Sequence, residues 1–157
     1  MLAMLNNPRR EGLFANIALF VGGALAVNAL IFAAGWNARS DQTNPPLIPP
    51  GAVVGAIWVA LFALMAVARW FYIRETTDRG WRALLPAALA LICLAFPFYT
   101  AGLNDRLAGF WGSVATFLVG AGIAALLWRQ SARAGLPLVP TLAWLGFVVA
   151  VMLAYGF

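Results

Sequence analysis

The sequence predicts an all-α membrane protein, a bundle of five transmembrane helices, and three observations predict it. The 157 residues are 64% hydrophobic and 10% charged, with a mean hydropathy of +0.88, far from the near-even mixture of a water-soluble domain. The apolar residues gather into five runs of the length that crosses a bilayer core as a helix. Nearly all the charge lies in the breaks between those runs. Residues 1–157 read as one domain, with spans over about 14–34, 52–73, 83–101, 107–128 and 136–156.

Span one follows Arg9-Arg10. A basic pair before an apolar run can also open a secretory signal. This run is longer than the roughly 7–15 residues of a signal core, and Ala33-Ala34-Gly35 is a poor cleavage context, so the segment reads as a retained span. Asn16 and Asn28 sit inside it about 120° apart around the helix axis and form no single polar stripe. Their expected role is hydrogen bonding to neighbouring helices. The connection from Trp36 to Pro50 is polar and then carries two proline pairs, Pro45-Pro46 and Pro49-Pro50. Proline removes donors and disfavours helix before it, so the loop is extended and stiff, either a cover over the bundle mouth or a solvated connector. Pro50 before Gly51 is a good helix start.

In span two, Trp58, Phe62, Met65 and Arg69 recur at helical spacing, so one face carries two rings, a thioether and a terminal cation. Arg69, about a turn inside the span, is expected to snorkel toward the headgroups. Gly51 and Gly55, like Gly120 and Ala124 in span four, are small pairs that let backbones approach closely, within one bundle or between two copies. The connection Arg74 to Gly80 mixes charge signs and reads as a solvated turn.

Span three holds the lone Cys93, a packing residue with no partner for a disulfide or metal, and ends in Tyr99-Thr100. The connection Gly102 to Arg106 is short enough to make spans three and four antiparallel neighbours. Ser113 and Thr116 in span four, and Thr141 in span five, are expected to bond between helices. In span five, Pro140, Trp144, Phe147, Val151 and Tyr155 share a face. That wall suits a flat, largely apolar molecule, or plain aromatic packing between helices. Of the seven tryptophans, Trp36, Trp70, Trp81 and Trp128 fall at span ends, as interfacial anchors do. Trp58, Trp111 and Trp144 lie deeper, where an indole N–H needs a partner, and are the better pocket candidates.

Charge placement sets orientation. The net charge is +5, yet no basic run for nucleic acid exists, and all ten basic residues are arginines at or near span ends. Eight fall on the side of the N-terminus and two, Arg39 and Arg106, on the other. The expected topology is an integral protein of a bacterial inner membrane with a cytoplasmic N-terminus and an extracytoplasmic C-terminus. Histidine and lysine are absent, and the five acids, Glu11, Asp41, Glu75, Asp78 and Asp105, lie outside the apolar runs. The usual general base, Schiff-base amine and membrane-embedded proton carrier are therefore missing. No phosphate-binding glycine loop or metal-spaced cluster occurs. The chain is not expected to be an enzyme, and no catalytic residue, metal site or required cofactor is expected.

Two motifs add a resemblance. Pro49-Pro50-Gly51 leading to Trp58, Phe62 and Met65, and Leu136-Pro137-Leu138-Val139-Pro140-Thr141-Leu142-Ala143-Trp144, occur in the order found in the tryptophan-rich sensory protein family. That family is also called TspO or the peripheral benzodiazepine receptor family, and the chain resembles a divergent member over its whole length. The resemblance implies a five-helix pocket capped by the first loop, ligands such as porphyrins, sterols and synthetic aromatics, and often a dimer. Carried onto this chain, the ligand-binding residues would be Pro50, Trp58, Phe62, Met65, Thr141, Trp144 and Phe147. The chain departs from the family in ways that remove polarity. Phe62 and Thr141 stand where the family has tyrosines, Met152 where it has an asparagine, and Pro46-Leu47-Ile48 where it has loop tryptophans.

The expected function is binding of a hydrophobic aromatic or polyene ligand, a tetrapyrrole, sterol-like molecule or carotenoid, for sensing, sequestration or transport. The departures tilt the ligand toward a carotenoid or other isoprenoid. They also remove tryptophans on which the family's claimed porphyrin-modifying chemistry depends. The alternative is an accessory subunit packed against a larger membrane complex, with no small ligand of its own. The expected partners are the lipid bilayer, that ligand, and a second copy or a membrane complex.

Overall fold

The computed structural model describes residues 2–36, 38, 45–77, 80–98 and 105–156, without the side chains of Leu2 and Arg106. A short helix α1 (Leu2–Leu5) precedes α2 (Arg10–Ala33) and α3 (Gly51–Glu75). A 3-10 turn, Trp81–Leu84, runs into α4 (Leu85–Pro97), followed by α5 (Arg106–Gln130) and the single turn α6 (Ala132–Gly135). A second 3-10 turn, Leu136–Leu138, opens α7 (Val139–Tyr155). Four helical stretches, Arg10–Ala33, Gly51–Glu75, Leu107–Gln130 and Ala132–Tyr155, are long and apolar enough to cross a membrane, and Trp81–Pro97 is a shorter apolar helix. The last residues that the sequence gives to span three, 99–101, lie outside the described residues, as do 37 and 39–44 of the first connection.

Local chemistry sets the ends. Gly35 at φ 68° stops α2 in the left-handed region where glycine is unstrained, and Gly156 at φ 64° stops α7 in the same way. Pro50 is the N-cap of α3, its carbonyl accepting from Val53 and Val54. The Asp105 carboxylate caps α5 by accepting from the backbone of Leu107 and Ala108. The prolines of the Leu136–Leu138 turn and the start of α7 fall at first-turn positions, where a missing N–H costs little.

Helices α2 and α3 form the most extensive pair, followed by α5 and α7; α4 packs on α3, α5 and α2. The α6 turn and Leu136–Leu138 lie against α3, whereas the bodies of α3 and α7 hardly touch. Leu89, Leu127, Leu138, Met65, Tyr72 and Ile73 are wholly buried in the resulting core. Lipid is as apolar as these side chains, so packing, close backbone approach and polar bonds hold the helices together rather than exclusion from water. One member of each small pair, Gly55 and Gly120, is a point of close approach within the chain. A Cβ on Gly55 would lie 3.2 Å from the Asn28 amide of α2, and one on Gly120 would lie 3.0 Å from Leu142 of α7.

Several expectations change. Arg69 does not snorkel: it is 5% exposed and held by acceptors of the N-terminal segment and α2. Trp70 is buried rather than interfacial, its indole N–H donating to the Arg9 carbonyl at 3.0 Å. Trp111 is 62% exposed and faces outward near the start of α5, not into a pocket. Ser113 and Thr116 bond to the carbonyls of Gly109 and Gly112 in their own helix, the local i−4 bond that Ser and Thr hydroxyls commonly make. Asn28 does bond between helices, donating to the Gly55 carbonyl at 3.2 Å.

Candidate ligand-binding site

The residues read from the sequence fall into two groups. On α3, Phe62 (2% exposed) and Met65 (0%) belong to the core, and half-buried Trp58 packs against it. The Trp58 and Phe62 rings lie 6.0 Å apart at 57°. This face is also the seam with α2, since Gly55 and Arg69, on the same side of α3, meet Asn28 and Asn16. Pro50 is exposed at the head of the helix.

On α7, Leu142 and Gly146 form the seam with α5, against Gly120 and Phe117. Trp144 lies about 160° around the helix from Leu142 and so turns away from that seam. It is half-buried, and its ring stacks at 5.6 Å and 34° on that of Phe147, which is 39% exposed. Thr141, one turn before Leu145, is wholly buried. Its hydroxyl is the one buried side-chain oxygen or nitrogen without a partner among the described residues. Ser113 and Thr116, inside α5, each reach an i−4 carbonyl, whereas Thr141 follows the 3-10 turn Leu136–Leu138 and makes no such bond. An orphaned buried hydroxyl costs roughly 1–3 kcal/mol, and a ligand atom would remove that cost.

The helix arrangement brings the α3 and α7 groups into one bundle without direct packing between the bodies of the two helices. They are held together at the far end, where α6 and Leu136–Leu138 lie on α3. There the Glu75 carboxylate accepts from the Ser131 hydroxyl and, at 3.2 Å, from Arg133. Gly135 permits this fold-back, since a Cβ there would lie 2.9 Å from the Trp128 side chain. At that end α3 and α7 are joined through α6 and Leu136–Leu138, while Trp58 and Phe62 lie on the α2 side of α3 and the Thr141 hydroxyl is enclosed within the bundle.

Sequence reasoning missed a polar cluster at the closed end. Arg69 Nη1 donates to the Leu5 carbonyl (2.8 Å) and to Asn16 Oδ1 (2.6 Å), and Nη2 donates to Asn6 Oδ1 (2.7 Å). The Asn16 amide donates to the carbonyls of Leu5 (2.8 Å) and Gly12 (2.7 Å). Two polar residues inside neighbouring spans, Asn16 and Arg69, were the available signal.

The sequence profile of the TspO/MBR family matches residues 14–157. No curated protein and no solved structure matches the chain. The family match runs from within the first spanning helix to the last residue, through both motif regions and all the later helices. With nearly its whole length matched, this chain belongs to the TspO/MBR family.

Proposed function

We propose that this protein binds a hydrophobic aromatic or polyene molecule between α3 and α7, for sensing, sequestration or transport, with no chemical step of its own. The observation that carries the reading is the buried, unpartnered hydroxyl of Thr141 beside the Trp144–Phe147 ring pair. Trp58 and Phe62 enter the reading from the family motif, and their rings lie 6.0 Å apart on the α2 side of α3. A site with one free hydroxyl and many rings fits a ligand with few polar atoms, a carotenoid or other isoprenoid, better than a tetrapyrrole with ionised carboxylates. The arginine bias supports five spans with the N-terminus in the cytoplasm. A reporter fused after Phe157 should then read extracytoplasmic.

Binding is followed by quenching of tryptophan fluorescence with a carotenoid and, separately, a porphyrin. Trp58→Leu and Trp144→Leu each remove a ring contact and its buried area and should weaken binding by roughly 1–3 kcal/mol. Thr141→Val keeps the shape and loses the hydroxyl. It should weaken binding of a ligand with a polar end group by about 1 kcal/mol while leaving the empty protein no less stable. Trp111→Leu, on the outward face, is the control. Undiminished affinity in the three site variants for every ligand that binds wild type would sink the reading.

A further inference from the structure

The N-terminal segment is built to dock on the helix pair α2–α3. Leu5 and Asn6 accept from Arg69, Leu5 also accepts from Asn16, and the Arg9 carbonyl accepts from the Trp70 indole. Helix α2 makes room for it at Gly12, where a Cβ would overlap the Asn7 carbonyl. Apolar burial adds little. Leu5 is buried, but Met4 is 55% exposed, and a half-open groove of about 220 Å³ remains between Met4 and Leu5 on one side and Ala15 and Leu19 on the other. An element held by a few polar bonds over a poorly filled groove opens at lower cost than the helices beneath it.

The bond that holds it is also incomplete in charge. Arg69 lies six residues, roughly 9 Å, inside the end of α3, and its partners are all neutral oxygens. Bonds from a guanidinium to an ionised oxygen are about twice as strong as neutral ones, and the planar fork takes phosphate in two-point contact. Arg9 and Arg10 are exposed at the end of the segment. Together with the buried guanidinium they form a basic edge of the kind that collects anionic headgroups at a membrane surface.

We propose that residues 2–9 are a latch keyed to Arg69, and that the phosphate of an anionic phospholipid releases it by taking the guanidinium from its neutral partners. Release would uncover the seam between α2 and α3 at the arginine-rich end, which the docked segment closes. Glu11, exposed beside Arg10, opposes the lipid by charge.

The test reads the latch directly and needs no pigment or porphyrin, so its failure is distinct from failure of the ligand reading. Cysteine is placed at the buried position in Leu5→Cys on a Cys93→Ala background; the Leu5 backbone carbonyl keeps its bonds. Maleimide labelling is then timed in nanodiscs of phosphatidylcholine alone and of phosphatidylcholine with phosphatidylglycerol. Labelling should be slow in the first and about tenfold faster in the second, a change in opening equilibrium of that size. Arg69→Gln should label fast in both and lose the lipid dependence. Gly12→Val, which crowds the segment off without touching Arg69, should label fast in phosphatidylcholine. Glu11→Gln should need less phosphatidylglycerol. Equal rates for the parent in the two lipids, or a lipid dependence that survives Arg69→Gln, overturns the proposal. The parent comparison decides it even if a second variant fails to insert.

Discussion

The two halves of α3 live in different surroundings although both are strongly apolar. From Leu61 to Ile73 the helix is buried at Leu61, Phe62, Met65, Ala66, Ala68, Arg69, Trp70, Tyr72 and Ile73; from Gly51 to Ala60 it is buried only at Gly55. The first of these stretches meets α2, α4, the N-terminal segment and the fold-back at α6. The second meets chiefly α2, through Asn28 and Gly55. Hydropathy does not distinguish them. The difference lies in what the chain folds back over each end, and in the polar bonds that pin those pieces down. The bundle is thus fixed at one end of α3 and loosely packed at the other.

The largest effect that would test this comparison is at Arg69. Arg69→Met keeps most of the volume but leaves Asn16 Oδ1 and the Leu5 carbonyl with fewer donors in a buried site. Removing one partner from a buried charged cluster costs about 3 kcal/mol, read as a loss of thermal stability in detergent. A loss below about 1 kcal/mol would mean that the closed end is held by apolar packing alone.

Two glycines on spanning helices sharpen the contrast at the next level. Gly12→Ala drives a Cβ into the Asn7 carbonyl, and the backbone has to move, at a cost of about 1–3 kcal/mol. Gly122→Ala on α5 meets open space and should be neutral or stabilising by up to about 1 kcal/mol through helix propensity. Equal effects would show that the docked N-terminal segment contributes nothing to stability.

At the open end the corresponding bond is weaker. Asn28→Leu removes a single hydrogen bond to the Gly55 carbonyl, and interhelical bonds of this kind in membranes average about 0.6 kcal/mol with a ceiling near 1.7. A loss matching that at Arg69 would erase the distinction between the ends.

The fold was legible where one physical rule dominates. Length and apolarity place α2, α3, α5 and α7, and the proline signal at Pro50 falls at an observed helix start. The tertiary context of single polar side chains was not legible. Arg69 near a span end reads as a snorkelling residue because nothing local announces that residues five and six will return to meet it. Trp70 and Trp111 exchange their expected roles for the same reason: depth along a helix follows from the sequence, but the direction of a side chain depends on which neighbours arrive. The Thr141 hydroxyl was visible as a residue, while its lack of a partner is a property of the assembled bundle.

The smallest effect separates charge from burial at the tight end itself. Arg133 also bonds to a partner there, Glu75 at 3.2 Å, and links α6 to α3 as Arg69 links the N-terminal segment to α3. Its side chain is 75% exposed, however, and water and salt screen the pair. Exposed ion pairs contribute about 0–1 kcal/mol because the attraction barely exceeds the entropy lost in holding two long side chains. The Ser131 hydroxyl would still bond to the same carboxylate in Arg133→Ala, keeping α6 in place. The variant should therefore lose less than about 0.5 kcal/mol, and that loss should vanish in high salt. Arg69→Met should keep its loss in high salt, since a buried cluster is shielded from mobile ions. Similar losses and similar salt dependence for the two variants would show that net positive charge, and not the buried clamp, closes this end of the bundle.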